Sequence, residues 1–379
     1  MIHITPQTIC RLLVSLSLLI CPLWTTRLAS AEAGAGVDLT HVRTLAEQGS
    51  IKDEIALAAD YFTGNGVPQD SKMAAYWYER AAGLGNPAAQ NQIGYFYQAG
   101  IGVRQDSKRA VHWYQLSATS GFAIAKVNLA VAYLNGVGAP KSEDLAVRLL
   151  TQAYEEGSGT AATYLGDLYY FGVAVKEDKL AGERWFESGL KLHDPMAAYN
   201  LGTFYSVDAN HAHDLPKAAE LLRQSADAGF VPAMHSLGLL LVNHPELRQT
   251  PEQIRTLLET AENAGSWKSS VVLGILAREG RGTPVDYRAA YFHFRLAVLQ
   301  GKEEADHLVK RDMNAVGTKI SDQERQAAIT AADEWFKHHS LKFVFLYKNG
   351  TSPKDFPAAG MTYASDGSFA GQLLPLSSS

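Results

Sequence analysis

"GNGVPQDSKMAAYWYERAAGLG" (residues 64–85) returns 36 residues later as "GIGVRQDSKRAVHWYQLSATSG" (residues 100–121), with its glycines, Asp-Ser-Lys and Trp-Tyr in register. A fixed period is tested before any motif is read as chemistry. Steps of 36 from Gly49 land on Gly85, Gly121, Gly157, His193, Gly229, Gly265 and Gly301, and His193 alone interrupts the series. From Tyr78 the same step gives Tyr114, Leu150, Phe186, Leu222, Leu258 and Phe294. From Gly94 it gives Ala130, Gly166, Gly202, Gly238 and Gly274, and from Tyr97 it gives Tyr133, Tyr169, Tyr205 and Leu241. The chain is an array of about seven repeats.

One repeat reads as two helices. Ala89, Ile93, Phe96 and Tyr97 fall on one helical face, Gly100 and Gly102 break it, and Val111, Tyr114 and Ala118 open a second apolar face. The glycine that closes each unit suits the left-handed position at which many helices end. The glycine or alanine in the middle of the first helix lets its neighbour approach closely. A single hairpin cannot bury its apolar face, so the units must stack. The expected fold class is all-α: an α/α superhelical solenoid of about seven 36-residue hairpins with terminal capping helices.

The repeated Asp-Ser-Lys is then punctuation. Steps from Asp70 give Asp106, Ser142, Asp178, Asp214, Thr250 and Asp286, all residues whose side chains accept from the free N–H groups of a starting helix. A catalytic carboxylate would not recur in every unit and tolerate Ser or Thr. The GNG and GIG loops follow no strand and lack the Lys and Ser/Thr of a phosphate loop.

The order of these residues, close in "IGYFYQAGIGVRQDSKRAVHWY" (93–114) and good in "YLGDLYYFGVAVKEDKLAGERWF" (164–186), resembles the Sel-one-like repeat (SLR), a relative of the tetratricopeptide repeat. The resemblance covers residues 50–301 and is looser in the fifth and sixth units, whose loops "SVDANHAHD" and "VNHPELRQT" have lost their glycines. It implies an interaction scaffold rather than a particular activity. Among envelope members it implies, as the other reading, a hydrolase or β-lactam-binding enzyme acting in the same compartment.

The N-terminus indicates the compartment. Arg11, the apolar run "LLVSLSLLICPLW" (12–24) and "ASA" (29–31) have the layout of a signal peptide cleaved before Glu32, and Pro22 and Arg27 cut the run short of a membrane span. Residues 1–31 are therefore expected to be removed, leaving a periplasmic or secreted protein with no membrane span. Both cysteines, Cys10 and Cys21, go with them, and with them thiol catalysis, thiolate metal sites and disulfides. The two arginines lost turn a net charge of −5 into −7, which disfavours nucleic acid as a partner. Residues 32–49 are expected to cap the array at one end and residues 302–340 at the other, where Ser321 and Glu324 have capping-box spacing. From Leu341 the period vanishes. "LKFVFLYK" reads as a strand or an apolar segment, and residues 341–379 as a flexible tail.

No side-chain constellation argues for catalysis, so no enzyme activity and no cofactor are expected. His193, His211, His213, His235 and His244 gather around the irregular units, and His211-Ala-His213 beside Asp208 or Asp214 is the best metal candidate. Asp214 already has a capping role, and the reading is a polar loop with no metal. Function is then expected in the concave groove lined by the first helices, held by a monomer against a protein or peptide. The positions left over from packing are Asn91, Tyr95 and Gln98, then Val127 and Val131, then Thr163, Asp167 and Tyr170, then Tyr199 and Thr203, and His235.

Overall fold

The computed structural model describes residues 39–207 and 214–347. It falls into two compact units, Met1–Leu192 and His193–Ser379. The proposed signal segment, His211, His213 and residues 348–379 lie outside the described residues. Among the described residues every regular element is a helix.

The first unit opens with α1 (Leu39–Glu47), at the place given to an N-terminal cap. Four hairpins follow: α2 (Ile51–Thr63) with α3 (Ser71–Gly83), α4 (Pro87–Ala99) with α5 (Ser107–Thr119), α6 (Ala123–Asn135) with α7 (Glu143–Glu155), and α8 (Gly159–Phe171) with α9 (Lys179–Lys191). Within the unit each second helix packs on the first helix of the next hairpin, α3 on α4, α5 on α6 and α7 on α8. The second unit repeats the scheme with α10 (Pro195–Val207), α11 (Leu215–Asp227), α12 (Val231–Asn243), α13 (Pro251–Asn263), α14 (Trp267–Glu279) and α15 (Tyr287–Gly317), and α16 (Asp322–Tyr347) closes on α15.

The start of every second helix is fixed as the sequence implied. Asp70 accepts from the N–H groups of Lys72 and Met73, and Asp106 from those of Lys108 and Arg109. Ser142, Asp178, Asp214 and Asp286 cap in the same way, and Thr250 forms a reciprocal capping box with Gln253. The capping box forecast at Ser321 and Glu324 is also formed. The ends are equally regular. Gly121 is left-handed (φ 80°), and the N–H of Phe122 reaches back five residues to the carbonyl of Ser117 at 3.2 Å, the long bond of a Schellman turn. His193 takes the same left-handed conformation (φ 59°) without the glycine.

The mid-helix glycines are close-approach points. A Cβ on Gly94 would stand 2.8 Å from the Tyr114 ring, and one on Gly166 would stand 2.6 Å from Phe186. Gly202, Gly238 and Gly274 meet Leu222, Leu258 and Phe294 in the same way. The first hairpin carries alanine here, Ala58 with Tyr78, and the Tyr78 ring turns edge-on to Phe96. Each repeat thus brings a large side chain of its second helix onto a glycine or alanine at the middle of its first.

Two expectations at the C-terminal end are corrected. Gly301 was read as a turn glycine, yet the chain passes it without the turn and breaks at Lys302 (φ 51°, ψ −133°). A Cβ at Gly301 would lie 2.7 Å from that of Ala305 and 2.8 Å from the Trp267 ring, so the glycine serves close packing. The segment beginning at Leu341, read as a strand or an apolar stretch, continues α16 to Tyr347. Extending a formed helix by a residue costs little, and the first breaker after Ser321 is Gly350.

Candidate interaction face

The proposed groove residues occupy one register of the first helices, and burial divides them. Asn91, Val127, Val131, Thr163 and His235 are exposed by 4% or less. They sit where repeat meets repeat and offer almost no surface. Asn128 Nδ2 donates to Asn91 Oδ1 at 2.8 Å, so the amide expected to face a ligand joins α6 to α4 instead. Thr163 donates to the carbonyl of Gly159 and Thr203 to that of Tyr199, and Thr203 and Asp167 are also buried.

The half-buried members are Tyr95 and Gln98 on α4, Tyr170 on α8 and, in the second unit, Tyr199 on α10. Gln98 Oε1 accepts from the Tyr114 hydroxyl at 2.7 Å. Burial pushes the Tyr95 phenol up to about 12 and raises that of Tyr199, so both stay neutral hydrogen-bonding groups through the ordinary pH range. The Tyr170 ring packs on Phe186 with centroids 6.3 Å apart, and Lys179 Nζ lies 5.6 Å from its centroid. These tyrosines pack against neighbouring aromatic rings and stay partly exposed.

A second feature, on the loop side of the repeats, escaped the sequence reading. The Tyr97 hydroxyl donates to Glu79 of the preceding repeat at 2.9 Å, Arg109 Nη2 donates to the same carboxylate at 2.7 Å, and the Arg109 guanidinium stacks 4.0 Å from the Tyr97 ring. Beside this clamp runs a cleft of about 690 Å³ edged by Arg104, Asp106, Lys108 and Gly138. One step on, Gln115 reaches the Tyr133 hydroxyl at 3.4 Å in place of Glu79 and Tyr97, but Leu145 replaces Arg109, so the charged clamp itself is not repeated there.

In the second unit, Arg281 stands where other loops carry Ile101 or Val173. Its Nη2 donates to the carbonyl of Val242 at 3.0 Å, covering the end of α12, whose loop has no glycine to close it. His293 is partly buried, with Nδ1 2.9 Å from Glu262 Oε1. Among the described residues no cluster of three or more His, Cys, Asp or Glu is placed to hold a metal ion, and no helix is long and apolar enough to cross a membrane.

The Sel1 repeat model matches residues 54–86, 87–122, 123–158, 159–194, 195–230 and 271–302, more than half of the chain. The gap, residues 231–270, contains the second of the two loops that lost their glycines, while the first lies within the match at 195–230. Among solved structures, the chain is similar to c5321, a protective antigen of uropathogenic Escherichia coli with an SLR fold, at 24% identity and TM-score 0.40, over 81% of this chain and 73% of that one. A Sel1 repeat protein from Oxalobacter formigenes is 27% identical at TM-score 0.48, over 59% and 89% of the two chains. The immunity protein Pa5087 of Pseudomonas aeruginosa is 18% identical at TM-score 0.37, over 60% and 83%. No curated protein matches the chain.

Proposed function

The chain belongs to the Sel1 repeat family, whose members are typically protein–protein interaction scaffolds, and from that premise we propose that it is an adaptor or regulator in the bacterial envelope. In this reading the signal segment is removed before Glu32, and the mature, monomeric protein holds a segment of another protein in the periplasm or outside the cell. The observation that carries the reading is the set of half-buried tyrosines on the first helices. An aromatic already held by its neighbours loses little rotamer freedom when a partner covers it, and such residues dominate binding where they become desolvated. Tyr95 and Gln98, then Tyr170, give α4 and α8 aromatic anchors with an amide beside them, an arrangement suited to an extended peptide or an amphipathic helix.

The test is photo-crosslinking in cells. A benzophenone side chain at Gln98 or Tyr170 should capture one protein, identified by mass spectrometry, while the same group at Arg184, exposed on α9, should not. Capture from Arg184 alone would place the contact on the second helices and overturn the assignment.

A further inference from the structure

Steps of 36 through His235 land on Ile55, Asn91, Val127, Thr163, Tyr199, Val271 and His307, and of the two histidines only His235 is buried. It is 3% exposed, between α12 and α14. Its Nδ1 lies 3.3 Å from Ser269 Oγ, and its Nε2 is buried with no hydrogen-bond partner. Ser269 Oγ in turn donates to Ser266 Oγ at 3.0 Å, and Ser266 is the cap of α14, accepting from the Ser269 N–H. A single polar chain therefore ties the imidazole of one repeat to the first turn of the next.

A proton has no place in that chain. It would put a second N–H on a ring that already has one unsatisfied nitrogen, and a positive charge beside Lys268 of α14. Burial first, and the Lys268 charge second, hold the imidazole down to about 3. Among the described residues no acid is placed to relieve it. Glu304 of α15 acts on Lys268. On α13, Arg255 pairs with Glu259 and Glu262 with His293, while Glu252 is exposed. On α11, Lys217 pairs with Glu220, and Arg223 and Asp227 face solvent. His244 pairs with Glu246 beyond the end of α12, and Tyr199 of α10 is kept neutral by burial.

We propose that His235 is a proton-operated latch between the repeat built on α12 and the repeat built on α14, so that mild acid loosens this seam and leaves the first unit unchanged. Opening the seam exposes the ring to water, where it takes a proton at its ordinary value of 6.5. Going from pH 7.5 to pH 5.0 then favours the open form by about 30-fold. The sign follows from the depressed value: the contribution is complete above 6.5 and is lost as pH falls below it.

Native-state hydrogen exchange of the full chain at pH 7.5 and 5.0, corrected for intrinsic rates, tests the latch. Amides of α12 and the first turn of α14 should lose about 30-fold in protection, those of α4 to α8 should not, and His235→Gln should remove the difference. Equal protection at both pH values, a loss shared by both units, or the same loss in His235→Gln overturns the proposal. If that variant does not fold, the wild-type imidazole resonance decides beside the exchange data. A ring that stays neutral to below pH 5 while the seam loses protection supports the latch, and a ring that titrates near 6.5 with exchange unchanged overturns it.

Discussion

Replacing Gly166 by alanine adds one methyl group where none fits. Its Cβ would lie 2.6 Å from Cδ1 and Cε1 of Phe186 and 3.1 Å from the Gly182 carbonyl oxygen. Carbon atoms settle near 3.5–4.0 Å, so the ring must retreat by about 1 Å. Phe186 is completely buried and has nowhere to go without parting α8 from α9. Overpacking of this kind costs about 1–3 kcal/mol, and the gain of about 1 kcal/mol from replacing glycine inside a helix offsets only part of it. Gly166→Leu should lose at least about 2 kcal/mol, because three further carbons must also be housed. The third repeat shows a compatible pair, Ala130 with Leu150 in the same register, both fully buried. Phe186→Leu, which removes the ring atoms that meet the new methyl group, should partly rescue Gly166→Ala, with a coupling of about 1 kcal/mol in a double-mutant cycle. Urea denaturation followed by circular dichroism measures all four proteins. An unchanged midpoint in Gly166→Leu, or additive effects around the cycle, would refute the close-approach account.

Asp106→Ala removes the cap of α5 and should cost about 1 kcal/mol in the same assay, with partner capture intact; lost capture at unchanged stability would restore a functional reading of the repeated Asp-Ser-Lys. His193→Gly relieves a left-handed non-glycine residue on the surface and should stabilise by about 0.5–1 kcal/mol, whereas a loss would mean the imidazole makes a contact that outweighs its backbone strain. Arg281→Ala uncovers the Val242 carbonyl and should cost about 1–3 kcal/mol, read as faster amide exchange at the end of α12. Mass spectrometry of the protein from its native host should find Glu32 at the N-terminus, and full-length chain in the inner membrane would contradict cleavage.

The fold was legible because its signals are local and repeated. A cap, a turn glycine and a bare helix centre each act within a few residues, so the same step of 36 exposes every one of them, from Asp70 to Asp286 and from Gly94 to Gly274. What the period does not carry is which way a side chain meets the neighbouring repeat. Asn91 and Tyr95 are one helical turn apart, yet Asn91 is closed off by Asn128 while Tyr95 stays partly exposed. That difference depends on a residue 37 positions away and has no local signature. Gly301 shows the converse, since a residue in perfect register serves a different purpose once α15 runs on past it and Trp267 closes over the site. The extension of α16 to Tyr347 is not legible because the continuous apolar run FVFLY (343–347) has neither the alternation of a strand nor the spacing of an amphipathic helix.

The central claim is that the first-helix tyrosines hold the partner, and the dissociation constant of the crosslinked protein tests it most directly. Tyr95→Ala combined with Tyr170→Ala should weaken binding about 30-fold, equivalent to about 2 kcal/mol, with both proteins shown to be folded at the assay temperature. Glu183→Ala combined with Arg184→Ala, on α9, should leave the constant unchanged. If the α9 pair abolishes binding while the tyrosine pair binds like the wild type, the partner sits on the second helices and the claim is contradicted.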